Sequence, residues 1–327
     1  MPPELYGGIE LVVDRLARGF HRQGHDVLLF TTGESTCPVP KAWLLPHAEG
    51  QRIGAAVPEL RHVLAAYDVV RDYDIVHDHT VAGPFLAERW PELNVVTTVH
   101  GDLEGELADL YARIADRVPI IAISHSQRRP VPDIPFARVI HHGLDAEDFP
   151  FGNGDGGYCF FLGRMAPDKG AHRAIIAARK AGFPLRMAAK MREPWEMEYF
   201  ENEVQPHLGD DIQYLGEVPH EQKLELLAGA RALLFPIRWS EPFGMVMIEA
   251  MACGTPVIAF PEGAATEVVE DGKTGFLVHD EVEMADAISR VDQLDRATCR
   301  AAVEGYFSTD RMVAEHIALF ESILASR

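Results

Sequence analysis

Two glutamates with seven residues between them give this 327-residue chain its sharpest chemical pattern. Glu241 lies in the turn-rich segment Ser240-Glu-Pro-Phe-Gly244, and Glu249 lies in the apolar run that follows. A carboxylate accepts paired hydrogen bonds from vicinal hydroxyl groups, so Glu249 could hold a ribose while Glu241 contacts a second sugar. The alternative is that both acids only favour the start and the solvated face of a helix.

The same segment predicts a helix over 244–253, placed after one strand and before the next. A helix start exposes backbone N–H groups together with the positive end of the helix dipole, which suits phosphate oxygens. The N–H groups expected here belong to Gly244, Met245 and Val246. A glycine at this position also lets a ligand approach the backbone closely.

A second pattern places two cations five residues apart after an apolar strand, in Phe160-Phe-Leu-Gly-Arg-Met-Ala-Pro-Asp-Lys-Gly170. Arg164 and Lys169 could converge on a diphosphate, because fixed cations stabilise a phosphate leaving group as it gains charge. Taken alone, such residues in a loop are more often only solvated. Together, the two patterns predict a site for a nucleotide sugar.

Composition narrows the class of protein. Hydrophobic residues make up 47% and charged residues 24%, which is typical of a globular chain. The formal charge of −20 disfavours nucleic acid as a partner. The four cysteines lack paired or metal-type spacing, which indicates reduced thiols. With no signal pattern and no apolar run of about 20 residues, the sequence predicts a cytoplasmic protein.

Two further motifs do not indicate a ligand site. His77-Asp78-His79 could place two imidazoles on one strand face for zinc, but no third ligand has suitable spacing. The Gly-rich stretch 152–157 precedes a strand instead of following one, so it indicates a turn and not a dinucleotide fingerprint. The sequence therefore predicts no metal site.

These segments together resemble the family-four retaining glycosyltransferases, a group with glycogen-synthase-like and mannosyltransferase-like members and the GT-B fold of two facing Rossmann-like domains. The paired glutamates match Glu241 and Glu249. Further matches cover nearly the whole chain: Tyr6-Gly-Gly-Ile-Glu10, Thr98-Val-His-Gly101, Ala122-Ile-Ser-His125, His142-Gly-Leu-Asp145 and Asp271-Gly-Lys-Thr-Gly-Phe-Leu-Val278.

In the second half of the chain, the resemblance implies that Arg164 and Lys169 clamp the diphosphate. It makes Glu241 the contact to hydroxyls of the transferred sugar and Glu249 the contact to the ribose. The leaving nucleotide would then be neutralised by these cations and by the helix start, so no metal ion or other cofactor is expected.

In the first half, the resemblance implies that Gly8 approaches the phosphates. His100, at a strand end, would hydrogen-bond the donor sugar near its reacting carbon, which makes His100 and Glu241 the predicted catalytic residues. Glu10 and His79 are expected on the acceptor side.

The elements that must position these residues follow βαβ logic, which predicts parallel sheets flanked by helices. A helix is predicted from Ile9, then strands at 26–31, 75–77, 94–99 and 119–123, with a helix at 102–117. The second half predicts strands at 158–162, 185–189, 212–215, 232–236, 256–260 and 275–278. It predicts helices near 169–182, 194–204, 220–230, 244–253, 282–293 and 309–325.

Turn formers at 141–157 mark a boundary between two domains. We expect a Rossmann-like acceptor-side domain over 1–145 and a Rossmann-like nucleotide-sugar domain over 146–308. The C-terminal helix, 309–327, would pack back on the first domain. Sequences of this resemblance begin with an apolar strand before the loop that carries Tyr6, so we expect this first strand to be missing here, which would leave unpaired backbone groups.

The hypothesis is a retaining hexosyltransferase that moves a sugar from a UDP- or GDP-sugar to a hydroxyl of a saccharide, natural-product or lipid acceptor. The alternatives are a non-catalytic nucleotide-sugar-binding protein and another GT-B enzyme, such as a nucleotide-sugar epimerase. Phosphorolysis would need a pyridoxal-bearing lysine, for which the second half offers no supported candidate. The sequence leaves the base, the sugar, the acceptor and the oligomeric state open.

Overall fold

The computed structural model describes residue 1 and residues 7–49, 52 and 55–326. These residues form two compact units. The first unit contains residues 7–142 together with the C-terminal segment 309–326, and the second unit contains residues 143–308. The chain thus passes into the second unit directly after His142 and returns to the first at Thr309.

Both units alternate short strands with helices. The strands are β1 (Leu29–Thr31), β2 (Lys41–Trp43), β3 (Val76–Asp78), β4 (Val95–Thr98), β5 (Ile120–Ala122), β6 (Phe136–Val139), β7 (Cys159–Arg164), β8 (Leu185–Lys190), β9 (Ile212–Tyr214), β10 (Leu233–Phe235), β11 (Val257–Ala259) and β12 (Gly275–Leu277). The helices are α1 (Gly8–Arg22), α2 (Ala56–Val69), α3 (Gly83–Leu86), α4 (Gly105–Ala112), α5 (His125–Arg128), α6 (Ala171–Ala181), α7 (Pro194–Tyr199), α8 (His220–Gly229), α9 (Met245–Ala252), α10 (Ala265–Val268), α11 (Glu281–Arg290), α12 (Arg296–Gly305) and α13 (Thr309–Ala325).

The first unit has a four-stranded parallel sheet in the order β3-β4-β5-β6. All four residues of β4 are buried, as expected for a central strand covered on both faces. A separate two-stranded parallel sheet pairs β1 with β2, and among the described residues no strand joins the two sheets.

The C-terminal helix packs against α1 within the first unit. The helices approach closely at Gly19, where a Cβ atom would lie 2.3 Å from the Cγ2 atom of Val313. One turn away, the ring of Phe20 contacts the rings of His316 and Phe320. The end of the chain therefore helps to build the unit in which the chain begins.

The second unit has a six-stranded sheet in the order β12-β11-β10-β7-β8-β9, with all neighbours parallel. Its central strands are almost fully buried apolar runs, such as Phe160 and Phe161 in β7 and Leu233 and Leu234 in β10. The chain runs outward in one direction from β7 and in the other from β10. The direction in which successive strands are added to the sheet therefore reverses between β7 and β10, which is the topological switch point of the sheet.

The predicted α/β class with parallel sheets and flanking helices is confirmed. The six strands predicted for the second half are all present, each within two residues of its expected ends. The helix expected over 102–117 is wrong in its extent, because helical structure covers only Gly105–Ala112 and turns follow it.

Within the described residues, no helix has the length and apolar character that crossing a membrane requires. The four cysteines are buried and free.

Candidate functional site

The two sequence patterns of the second unit meet at the topological switch point of its sheet, between β7 and β10. Arg164 is the last residue of β7 and Lys169 lies in the loop that follows, while Glu241 lies in the loop after β10. These two strands are neighbours in the parallel sheet. Open parallel sheets bind ligands beyond the carboxyl ends of their strands at such a switch point. The fold therefore brings both patterns to the position that suits a ligand best.

Lys169 and Glu241 are in direct contact. The Nζ atom of Lys169 lies 2.5 Å from Oε2 of Glu241, and both side chains are only 13% exposed. The same oxygen accepts a hydrogen bond of 2.9 Å from the indole N–H of Trp239, and Nζ of Lys169 lies 4.3 Å from the centre of that ring. Trp239 thus contacts both charged groups, through its N–H and through its ring face.

The loops that carry this pair are joined through their backbones. The N–H of Arg238 donates to the carbonyl of Asp168 at 2.8 Å. Gly170 has a φ of +79°, and a Cβ atom there would lie 2.4 Å from the carbonyl oxygen of Pro236. A side chain would separate the two loops, so glycine permits the close approach that brings Lys169 to the second pattern.

Helix α9 begins as the sequence predicts. Gly244 precedes it with a φ of +84°, a conformation that glycine adopts without strain. Among the described residues, no side chain caps the start of α9, where the backbone N–H groups of Met245 and Val246 lie. An uncapped helix start next to a lysine is suited to a phosphate group.

Glu249 lies in the middle of α9 and is 4% exposed, so the alternative of a solvated helix face is wrong for this residue. Nζ of Lys223, on α8, donates to its Oε1 atom at 2.7 Å. This is the one hydrogen bond that the described residues give to the Glu249 side chain. The two glutamates of the motif are therefore each paired with a different lysine.

Arg164 is oriented by residues that follow β8. Its Nε atom lies 3.4 Å from Oε1 of Glu196, which is 1% exposed, and its guanidinium carbon lies 5.2 Å from the centre of the Trp195 ring. The other oxygen of Glu196 accepts the backbone N–H groups of Arg192 and Glu193. The buried carboxylate of Glu196 thus forms an ion pair with the guanidinium at the end of β7, while Nε of Arg164 is buried and has no hydrogen-bond partner among the described residues.

Lys223, Trp239 and Glu196 were not identified from the sequence. Glu196 lies shortly after the end of β8 and Arg164 is the last residue of the neighbouring strand β7, so pairing of neighbouring strand ends was the available signal. Trp239 lies two residues before Glu241, so its position beside the motif was the available signal. No local pattern distinguishes Lys223, because its partner is 26 residues away on another helix.

In the first unit, the predicted residues His79 and His100 are in contact, with Nδ1 of His79 lying 2.9 Å from Nε2 of His100. They belong to a histidine cluster that also contains His77, His142 and His316. The centre of the His77 ring lies 4.1 Å from the centre of the His79 ring and 5.1 Å from that of the His316 ring. The rings of His100 and His142 are stacked, with their centres 5.4 Å apart.

Burial lowers the pKa of every member of the histidine cluster, and charge repulsion from neighbouring imidazoles lowers most of them further. The pKa values of His100 and His316 fall to about 4. Those of His77, His79 and His142 lie well below the usual 6.5. The cluster is therefore neutral at neutral pH. Among the described residues, no group of three or more histidine, cysteine or acidic side chains has an arrangement that could hold a metal ion.

The other residues predicted in the first unit lie at the start of α1. Gly8 is its first residue, and Glu10 is exposed in its first turn. Tyr6, which belongs to the same motif, lies outside the described residues.

Comparison with known proteins matches both halves of the chain to glycosyltransferase families. The chain matches the model of Glycosyltransferase Family 4 over residues 6–148 and that of Glycosyl transferases group 1 over residues 147–298. The D-inositol 3-phosphate glycosyltransferase of Acidothermus cellulolyticus is 25% identical, over 98% of this chain and 87% of the relative.

Two solved structures resemble the whole chain. AviGT4, a glycosyltransferase involved in avilamycin A biosynthesis, is 26% identical with a TM-score of 0.74, covering 100% of this chain and 93% of its own. Anabaena HepE in complex with UDP and glucose has a TM-score of 0.78 and covers 98% and 97%, at 19% identity, which shows likeness of fold. The chain belongs to the family-four glycosyltransferases, retaining enzymes of the GT-B fold that use nucleotide-sugar donors.

Proposed function

We propose that the second unit binds the nucleoside diphosphate of a UDP- or GDP-sugar and that the enzyme transfers this sugar to a hydroxyl group of a saccharide, natural-product or lipid acceptor. The observation that carries the proposal is the contact between Lys169 and Glu241 at the carboxyl ends of β7 and β10, next to the uncapped start of α9. Lys169 and Arg164 bind the diphosphate, Glu249 contacts the ribose, and Glu241 contacts the transferred sugar.

The chemistry follows from the charges. As the anomeric carbon–oxygen bond breaks, its electron pair stays on the leaving phosphate, and Lys169, Arg164 and the N–H groups of Gly244, Met245 and Val246 stabilise the new charge. The acceptor oxygen bonds to the same carbon on the same face, and its proton passes to the leaving phosphate. No metal ion is required for this step, so chelators leave transfer unchanged. From the first unit, Gly8 approaches the phosphates and His100 contacts the donor sugar, with Glu10 and His79 on the acceptor side.

A thermal-shift screen with UDP, GDP and their sugars tests donor binding. A ligand at 100 times its dissociation constant stabilises the folded protein by about 2.7 kcal/mol, so the correct nucleotide raises the melting temperature. Lys169→Met and Arg164→Ala remove most of that shift. Lys273→Met is the matched control, because Lys273 also pairs with a glutamate but is 63% exposed. A shift that Lys169→Met and Lys273→Met leave equally intact would refute the assigned site.

Transfer is tested by Glu241→Ala, with Glu270→Ala as the exposed acidic control. Loss of the sugar contact lowers kcat/KM by roughly a hundredfold or more, while the nucleotide still raises the melting temperature. Full activity of the Glu241 variant would contradict its role. Conversion of the donor to another sugar without any acceptor would identify an epimerase instead.

A further inference from the structure

The lysine on α8 is the strongest feature that the proposed roles leave unexplained. Lys223 forms a partly buried ion pair with Glu249, with side chains that are 18% and 6% exposed. Removing two charges from water is costly, and apolar residues of similar size often stabilise a protein at least as well. The neighbours of Glu249 on α9, Ile248 and Ala250, are fully buried apolar residues. Stability alone therefore gives little reason for an ion pair here.

The geometry of the pair leaves one carboxylate oxygen available. Lys223 contacts Oε1 of Glu249, and the described residues place no donor on Oε2. That atom is not one of the buried side-chain atoms without a partner, so part of its surface remains accessible. Glu249 thus has one oxygen fixed by the protein and one that can accept hydrogen bonds from outside.

The choice of lysine supports this reading. Only six of the 30 basic residues in the chain are lysines, yet one pairs with Glu241 and another with Glu249. An arginine fork typically binds both oxygens of a carboxylate, whereas a lysine ammonium is a point charge that can bind one. In a chain that otherwise uses arginine, lysine at this position keeps Oε2 unoccupied.

We infer that Lys223 is a positioning residue for nucleotide recognition, which fixes the Glu249 carboxylate through Oε1 so that Oε2 binds the vicinal hydroxyls of the donor ribose. The inference rests on the proposed function of Glu249 and adds the residue that makes its carboxylate selective for ribose. The ligand class is a ribonucleoside diphosphate, and a nucleotide without these hydroxyls is discriminated against.

The experiment compares dissociation constants, by calorimetry, for UDP or GDP and for the 2′,3′-dideoxy form of whichever nucleotide binds. A hydrogen bond to a charged group contributes about 1.5–3 kcal/mol, so the unmodified protein prefers the ribonucleotide by roughly 10- to 100-fold. Lys223→Arg keeps the charge between α8 and α9 but occupies both oxygens, and Lys223→Met removes the charge. Both lose most of the preference, while Lys273→Met retains it.

The readout separates positioning from a merely structural role. If Lys223 only ties α8 to α9, Lys223→Met lowers the melting temperature and weakens both nucleotides equally, and Lys223→Arg restores both. That result would overturn the inference. A protein that binds nucleotides without any ribose preference would overturn it as well, while leaving the diphosphate site intact. If the protein bound no nucleotide at all, this result would refute both the proposed function and the inference.

Discussion

At the scale of single residues, the second unit holds the charged groups of its motif in pairs. Glu241 accepts two hydrogen bonds on Oε2, from Lys169 and Trp239, and Glu249 accepts one on Oε1. A preorganised donor–acceptor network pays its ordering cost during folding and not during binding. Side chains outside the recognisable motif therefore determine how the motif presents its oxygens.

Trp239 allows this idea to be tested at Glu241. Trp239→Phe keeps a ring beside Lys169 but removes the N–H that donates to Oε2. A lost hydrogen bond to a carboxylate costs about 1.5–3 kcal/mol, so affinity for the nucleotide sugar falls by roughly tenfold or more. The nucleotide without sugar binds almost as before. Calorimetry with both ligands measures the difference.

The control for this substitution is Trp43→Phe, since Trp43 is an exposed tryptophan of the first unit. It leaves both affinities unchanged. Equal weakening of the nucleotide and the nucleotide sugar in Trp239→Phe would show that the indole supports the loop in general and not the contact to the transferred sugar.

At the scale of secondary structure, the second unit was predictable because most of its strands are buried on both faces. In the sequence, such strands are short apolar runs between turn formers, and this pattern predicted all six strands of the second unit. The first unit is harder because its edge elements lack that signal. Strand β2 contains Lys41 and an exposed Trp43, and β6 contains two exposed residues in Phe136–Val139. Both strands were missed.

The extent of a strand also depends on the neighbouring strand with which it pairs. The sequence predicts a strand over 26–31, but only Leu29–Thr31 is paired as a strand, with the three residues of β2. The same limit applies to the site. The position of Lys169 and Glu241 could be predicted from their motifs, whereas Lys223 depends on how α8 packs beside α9, which no local pattern encodes.

Loop geometry at Gly263 provides a test at this scale. Gly263, in the loop before α10, has a φ of +57°, and a Cβ atom there would lie 2.3 Å from the backbone nitrogen of Glu241. Gly263→Ala therefore pushes the Glu241 backbone away and weakens binding of the nucleotide sugar. Gly182→Ala is the matched control, with a φ of +65° and no atom within 4 Å of a new Cβ.

Both substitutions cost about 1–2 kcal/mol of folding free energy from the left-handed backbone alone, measured by urea unfolding. Only Gly263→Ala adds a steric cost and a loss of affinity. If the two variants bind the nucleotide sugar equally well, the close packing of this loop does not position Glu241.

At the scale of the whole molecule, each unit has its own group of interacting polar side chains. The second unit contains partly buried ion pairs beside its sheet, and the first contains five neutral imidazoles at strand ends and on α13, of which His142 and His316 are buried. His316, on α13, is 2% exposed, and its Nδ1 atom contacts the carbonyl of Met312 at 2.7 Å. Its Nε2 atom is buried and has no hydrogen-bond partner among the described residues.

Linkage gives the sign of the resulting pH dependence. A histidine with a pKa of 6.5 in the unfolded chain and about 4 in the folded one binds its proton mainly after unfolding between these values. Stability is therefore fully present above pH 6.5 and decreases as the pH falls toward 4, at about 1.4 kcal/mol per unit of pKa difference. Arg311, which contacts the carbonyls of His141 and His142, also disfavours protonation of His316.

The corresponding experiment follows unfolding of the first unit between pH 7.5 and 4.5, by hydrogen exchange in α13 and β3. The unmodified protein loses protection in both elements as the pH falls below 6.5. His316→Phe removes one titrating group and the buried unpaired nitrogen, so about one proton fewer is taken up on unfolding and the loss of protection becomes shallower. His25→Gln, at an exposed histidine of the same unit, keeps the original slope. If the His316 and His25 variants show the same slope, protonation of the histidine cluster does not control the stability of this unit.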